Sequence, residues 1–184
     1  MRIITPPMNE ADARSLNAGD EVLISGIIYT ARDAAHHRFN EIIVAGRELP
    51  VDLSGQILYY VGPAPAPPGK PIGSAGPTTS ARMDAYAPLL IEKGGLRGMI
   101  GKGGRGMAVI DAMKKYGCVY FAAIGGAGAL LAKSVVACEP VCYPDLGPEA
   151  VYKLTVEKMP VITAIDCAGN DLYADGPARY ARRA

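Results

Sequence analysis

Residues 73–105 combine polar side chains with glycines in a pattern that suits a small anionic ligand. Two adjacent hydroxyls, Thr78 and Thr79, follow a Gly-Pro corner, and the guanidinium of Arg82 comes three residues later. The stretch ends in a Gly-Lys-Gly-Gly turn that carries Lys102. Because glycine has no Cβ, the backbone can come close to a ligand at such a turn. Taken singly, each glycine or proline of the stretch is more typical of an ordinary turn.

A second arginine, Arg32, lies upstream, where a predicted strand runs into a predicted helix. Planar guanidinium groups bind carboxylates through two parallel hydrogen bonds. Two arginines and a lysine at loop–helix junctions therefore suit a small dicarboxylate. Arg32 or Arg82 alone is more typical of a surface side chain, whereas the position of Lys102 between glycines favours a carboxylate ligand.

The glycine-rich turn at 101–106 follows a predicted strand and precedes a predicted helix, where backbone N–H groups and a helix dipole can hold an anion. It lacks the GxxxxGK[ST] order of a Walker loop, and it lacks a GxGxxG pattern that is followed about 20 residues later by an acidic residue. Nucleotide binding is therefore weakly indicated. A non-catalytic anion-binding module remains the alternative that this turn alone would support.

The remaining metal-binding residue types do not form a site by spacing. His36 and His37 are adjacent, so on a helix they point about 100° apart and chelate poorly. The four cysteines show no CxxC pairing, and we expect all of them to be buried as small apolar side chains. No metal site is predicted in this chain.

Composition sets limits on class and partners. The 184 residues are 49% hydrophobic, which fits one domain, and a formal charge of +1 gives no bulk attraction to nucleic acid or to an anionic membrane. Apolar runs are shorter than the roughly 20 residues that cross a bilayer. Unpaired cysteines and the absence of a cationic–apolar leader predict a cytoplasmic protein.

Hydrophobic periodicity predicts an α/β chain in which helices and strands alternate through the middle. We expect one domain over residues 1–184, with a mixed sheet, helices on one side, and a proline-rich loop at 62–69 within it. Pro88 should split or kink its helix, and the stripe of Met107, Ile110 and Met113 should pack in the core. Predicted strands are 21–30, 57–61, 96–100, 118–123, 134–142, 151–157 and 161–166, and predicted helices are 31–45, 82–93, 105–116 and 125–133.

Several segments together resemble one family, the β subunits of iron–sulfur hydro-lyases, which are the class I fumarases and L(+)-tartrate dehydratases. The similarity covers nearly the whole chain, and its GPTTSxRMD element is highly specific. The family pattern has Gly at the position of Ala81, a mild departure that leaves the assignment intact. The segments are YTARDAAH at 29–36, GPTTSARMD at 76–84, IGKGG at 100–104, GPEAVY at 147–152 and DCAGND at 166–171.

The resemblance implies a swivelling β/β/α domain that forms half of an enzyme. An α subunit, or an N-terminal domain, would hold a four-iron four-sulfur cluster through three cysteines, and the two would assemble as a heterodimer or heterotetramer. The open iron would act as Lewis acid on the substrate hydroxyl. This chain would supply the opposite wall of the site.

The resemblance also assigns roles to residues of this chain. Arg32, Thr79, Arg82 and Lys102 would bind the dicarboxylate, and Thr78 would bind it and abstract the proton with help from an acceptor on the partner. The implied reaction is the reversible hydration of fumarate to (S)-malate. Dehydration of L(+)-tartrate to oxaloacetate is the alternative, and the sequence leaves the choice open.

Overall fold

A computed structural model describes residues 1–181, so the last three residues of the predicted domain, 182–184, lie outside it. Two 3₁₀ helices cover Ser80–Met83 and Pro144–Glu149. The strands are β1 (Arg2–Ile4), β2 (Glu21–Thr30), β3 (Ile57–Tyr59), β4 (Gly98–Gly101), β5 (Val119–Ala122), β6 (Val135–Cys142) and β7 (Val151–Ile165). The α-helices are α1 (Glu10–Arg14), α2 (Asp33–Val44), α3 (Ala87–Gly94), α4 (Met107–Tyr116), α5 (Gly128–Ala132) and α6 (Leu172–Tyr180).

The mixed sheet closes on itself like a barrel. Strands β2, β3, β4 and β5 are parallel neighbours in that order, and the long strand β7 pairs antiparallel with both β5 and β2. Strand β1 extends the sheet beside β2, and β6 extends it beside β7. Because β2 to β5 run in one direction, their carboxyl ends lie at the same end of the barrel.

Each face of the sheet has its own apolar core. Successive side chains of a strand point to opposite faces, and in β3 Ile57 and Tyr59 join one cluster while Leu58 joins the other. The cluster around Leu58 contains buried residues of α2, α3 and α4, so these three helices cover that face. The other cluster includes residues of α1 and α5. Helices therefore cover more than the one side that we expected.

The predicted elements were largely confirmed. Strand β2 has the predicted bounds, and the predicted helix at 82–93 is split into a 3₁₀ helix and α3, with Pro88 in the first turn of α3. Proline is tolerated there because the first N–H groups of a helix have no partner within it. The elements that the sequence did not predict are β1, α1, α6 and the 3₁₀ helix at Pro144–Glu149.

The prediction of two separate strands at 151–157 and 161–166 was wrong, because both ranges belong to one strand, β7. Pro160 lies in the gap between the two predicted strands. It lies between the part of β7 that pairs with β6 and the part that pairs with β5, so one edge of the strand is free at this point. A proline costs little where no ladder hydrogen bond is needed.

Two predictions about burial also need correction. Met107 is exposed by 69%, whereas Met113 is buried, because Met107 is the first residue of α4 and the residues of the helix that pack in the core come after it. Cys118 and Cys167 are buried as expected, but Cys138 and Cys142 are half-buried because β6 lies at the outer edge of the sheet. Within residues 1–181, no helix has both the length and the apolar character to span a membrane.

Candidate functional site

The predicted threonines and Lys102 meet at the carboxyl end of β4. Lys102 follows that strand directly, and Thr79 forms an isolated parallel bridge with it. The backbone N–H of Ser80 donates to the Lys102 carbonyl at 2.9 Å, and the N–H of Thr78 donates to the Tyr60 carbonyl at 2.7 Å. Residues 78–80 therefore continue the sheet beyond β4. We call residues 78–84 the threonine corner.

A glycine in β4 makes this close approach possible. A Cβ at Gly101 would overlap the hydroxyl oxygen of Ser80 and would lie 3.1 Å from Cδ2 of Tyr60. The freed space lets the Ser80 hydroxyl reach the Tyr120 hydroxyl at 2.8 Å. The threonine corner thus packs on the end of β4 because residue 101 has no side chain.

Arg32 lies at the carboxyl end of β2, where α2 begins. Its Nη2 is 3.2 Å from Oε1 of Glu149, and Oε2 of the same carboxylate accepts from the Ala34 N–H at 3.4 Å. The guanidinium packs on Gly62, where a Cβ would be 2.7 Å from Nη1. Its buried Nε has no hydrogen-bond partner among residues 1–181. Glu149 therefore fixes Arg32 and leaves part of its donor capacity unused.

Arg82 projects from the threonine corner towards α2. It forms an ion pair with Oδ2 of Asp33, the residue after Arg32, and its side chain is 49% exposed. The other oxygen of Asp33 is buried and has no partner in the described part of the chain. Through Asp33, the structure brings both predicted arginines to one end of the barrel.

Lys102 is half-buried, and its stem passes close to Gly125, which follows β5. A Cβ at Gly125 would be 3.5 Å from Cδ of the lysine. Over residues 1–181, no ion pair involves the Lys102 ammonium, whereas the two arginines each have a carboxylate partner. Lys102 is thus the cation of this group whose charge is least neutralised by its own chain.

A third arginine, which sequence reasoning had not given a role, lies beneath the threonine corner. The Arg105 side chain is fully buried, its Nε is 2.7 Å from Oδ1 of Asp84, and its Cζ is 5.3 and 5.2 Å from the rings of Tyr60 and Tyr120. Asp84 also accepts from the Gly106 N–H, at the start of α4. Asp84 and Arg105 are 21 residues apart, so no local spacing could have revealed the pair.

His36 is buried in α2, and His37 is exposed, as the predicted 100° separation requires. The Nδ1–H of His36 donates to the Arg32 carbonyl at 2.9 Å, and Nε2 has no partner among residues 1–181. Burial lowers the pKa of His36 to about 4, so the ring is neutral at pH 7. Within the described residues there is no group of three or more His, Cys, Asp or Glu side chains that could hold a metal ion.

Comparison with known proteins identifies the family of the chain. A family model described as "Fumarase C-terminus" matches residues 3–176. The chain belongs to this family. The resemblance that the sequence motifs indicated is therefore confirmed.

Relatives of two kinds are similar to the chain. The anaerobic class I fumarate hydratase of Escherichia coli is 42% identical over 170 residues, which cover 91% of this chain and 31% of that protein. Fumarate hydratase 2 of Leishmania major is 41% identical over 85% of this chain and 28% of its own length. A putative L(+)-tartrate dehydratase subunit beta of Methanocaldococcus jannaschii is 39% identical and is covered over 89% of its length. The chain thus spans about a third of these fumarate hydratases.

Proposed function

We propose that this chain forms one wall of a hydro-lyase site that reversibly hydrates fumarate to (S)-malate. One observation carries the proposal: the barrel brings Arg32, Thr78, Arg82 and Lys102, which are far apart in sequence, to one end. Kinship with fumarate hydratases supports the reaction class. We also propose that the barrel is the swivelling type of domain that the resemblance implied.

The three cations bind the substrate in this proposal. Arg32 and Arg82 hold carboxylates through their remaining donors, while Asp33 and Glu149 keep the guanidinium groups in place. Lys102 contributes the positive charge that its own chain does not neutralise. Such preorganised cations also stabilise the extra negative charge that develops as a proton leaves carbon.

Thr78 and Thr79 contact the substrate, and Thr78 removes the proton. The Thr78 backbone is fixed by its bond to Tyr60, and its side chain is half-buried. No carboxylate of residues 1–181 accepts a hydrogen bond from its hydroxyl. Because an unassisted alcohol is a feeble base, we propose that an acceptor on the partner takes up its proton.

The iron–sulfur cluster, in this proposal, is bound by the partner. The residues present here do not fit as its ligands, because the described part of the chain brings no three suitable side chains together. The partner is an α subunit, in a heterodimer or heterotetramer, or a domain of the same type. All four cysteines are free, which suits the cytoplasmic location that we propose.

The first experiment tests whether the site is shared. The chain and an α-type partner are assembled without oxygen. The assembly is then assayed for the hydration of fumarate and for the dehydration of malate and of L(+)-tartrate. We expect activity from the assembly and none from the chain alone. Turnover by the chain alone would refute a shared site, and binding of a nucleotide without any lyase activity would favour an anion-binding module.

The second experiment tests the roles of two residues in the assembly. Thr78→Ala should lower kcat by about 10²- to 10⁴-fold, the usual contribution of a general base, with a much smaller change in KM. Arg82→Lys should raise KM, since lysine cannot form the two-pronged contact. The matched controls are Thr155→Ala, a half-buried threonine in β7, and Arg14→Lys, which makes the same change in another exposed arginine–carboxylate pair. Equal kcat for Thr78→Ala and Thr155→Ala would remove the assignment of Thr78.

Tartrate dehydratase is the second candidate function. It is supported by the M. jannaschii relative, a putative L(+)-tartrate dehydratase subunit beta that is 39% identical to this chain. Both reactions use four-carbon dicarboxylates that the same cations can hold. The ratio of kcat/KM for L(+)-tartrate and for malate decides between the two.

A further inference from the structure

We propose that Arg105 is a positioning residue that holds the threonine corner in register with the Lys102 turn. Arg105 does not point to the substrate wall, because its side chain is fully buried. Its neighbours, however, contact both segments that carry proposed site residues. The kinetic part of this inference rests on the proposed function, and the structural part does not.

The first link runs through the tyrosine rings on which the guanidinium lies. Tyr60 accepts the Thr78 N–H through its carbonyl at 2.7 Å. The hydroxyl of Tyr120 donates to the Gly103 carbonyl at 2.9 Å and is 2.8 Å from the Ser80 hydroxyl. An arginine whose Cζ lies within 5.3 Å of both ring centroids therefore fixes the groups that hold the threonine corner and the turn.

The second link runs through Asp84, the last residue of the threonine corner. One of its oxygens accepts from Arg105 Nε, and the other accepts from the Gly106 N–H at 2.7 Å. The carboxylate thus joins the corner to the point where the turn enters α4. These contacts and the Ser80–Lys102 bond leave little room for Thr78 and Lys102 to shift relative to each other.

A packing role alone does not account for an arginine at this position. A buried charge carries a large desolvation cost, and apolar side chains of similar volume often pack as well or better. One nitrogen of Arg105, Nη2, is buried without a hydrogen-bond partner among residues 1–181. The planar guanidinium lies over both tyrosine rings and also binds a carboxylate at its edge, an arrangement that suits arginine better than lysine. The side chain thus contacts two tyrosine rings and the Asp84 carboxylate, although one of its nitrogens is left without a hydrogen bond.

The structural test measures amide hydrogen exchange in the chain and needs no substrate. In Arg105→Lys, which keeps the charge but loses the planar edge, the Thr78 and Ser80 amides should exchange at least about tenfold faster. Amides of the β2–β7 pairing serve as an internal reference and should not change. The control is Arg97→Lys, whose guanidinium binds the Tyr116 and Gly117 carbonyls at the other end of the barrel.

The kinetic test is a double-mutant cycle in the assembled enzyme. Arg105→Lys should lower kcat by about 10- to 100-fold, since small misplacements of reacting groups cost that much. In the Thr78→Ala background the same change should lower kcat by less than about threefold, because the group it positions is already gone. Arg97→Lys should leave kcat unchanged in both backgrounds.

A milder variant covers the case in which Arg105→Lys does not fold. Tyr120→Phe keeps the ring and removes the hydroxyl that joins Ser80 to Gly103, so it should speed the exchange of the same amides. Unchanged exchange at Thr78 and Ser80 in the folded variants would overturn the inference, as would additive losses of kcat in the cycle. If the wild-type assembly shows no lyase activity, the proposed function fails, and the exchange measurements still decide whether Arg105 positions the corner.

Discussion

Adding one methyl group at Gly101 should destabilise the fold and dislodge the threonine corner. In Gly101→Ala the new Cβ overlaps the Ser80 hydroxyl oxygen, and it also lies 3.1 Å from Tyr60 Cδ2 and 3.2 Å from Ser80 Cβ. Its φ is not positive, so the effect comes from space and not from backbone strain. Overpacking a buried site costs about 1–3 kcal/mol. Loss of the Ser80–Tyr120 hydrogen bond adds about 0.5–1.5 kcal/mol.

The magnitude can be checked by thermal unfolding. For a domain of this size each kcal/mol lowers Tm by about 2–4 °C, so Gly101→Ala, at a total cost of about 1.5–4.5 kcal/mol, should lower Tm by roughly 3–18 °C. Gly104→Ala is the matched control in the same turn, because its new Cβ would meet only Tyr173 Cβ, at 4.0 Å. It should change Tm by less than about 2 °C.

A second substitution tests the cause. Ser80→Ala removes the overlapping oxygen, and Tyr120 keeps the Gly103 carbonyl as its acceptor. The double variant Gly101→Ala/Ser80→Ala should therefore be more stable than Gly101→Ala by about 1 kcal/mol or more, a clear non-additivity between neighbours. A Tm of Gly101→Ala equal to that of Gly104→Ala, or no recovery in the double variant, would refute the packing argument.

Two further predictions concern buried titratable groups. Burial lowers the pKa of His36 to about 4, below its ordinary 6.5, so the unfolded chain binds the proton more tightly than the folded chain does. The contribution of the neutral ring to the free energy of unfolding should therefore be fully present above pH 6.5. It should fall by about 1.4 kcal/mol per pH unit as the pH drops from there towards 4. Urea unfolding at pH 7 and pH 5 measures this loss of free energy. His36→Gln should largely abolish the loss, whereas the control His37→Gln should not. An equal dependence of the free energy of unfolding on pH in the wild type and in His36→Gln would contradict the prediction. Burial also raises the pKa of the Cys118 thiol, and that of Cys142 to about 11. A thiol reagent at pH 8 should therefore modify Cys138 and Cys142 slowly and reach Cys118 and Cys167 only after unfolding, and rapid reaction of Cys118 in the folded chain would show that its burial is wrong.

The order of elements was predictable because it depends on neighbours along the chain. The Val- and Ile-rich composition of 21–30 predicted β2 with its bounds, and Pro88 marked the split before α3. These signals come from local composition and from the missing N–H of proline. The wrong prediction of two strands at 151–157 and 161–166 has the same origin, since local periodicity does not reveal the free sheet edge at which one strand can continue through Pro160.

The candidate site was predictable in its residue types and not in its contacts. Arg32, Thr78, Arg82 and Lys102 were recognisable from their chemistry and their motifs, and they meet at one end of the barrel. The carboxylates that fix the arginines were not predicted. Ala34 and Glu149 are 115 residues apart, and the buried Asp84–Arg105 pair has no pattern that relates its members.

The sequence by itself determined the α/β order of elements, the family, and the polar groups available to bind a dicarboxylate. Only the tertiary structure decided that β7 closes the sheet against β2, that Gly101 admits the threonine corner, and that a buried arginine lies beneath it. The physical reason is that periodicity reports what each segment buries. Which distant segments it meets is set by the packing of all of them together.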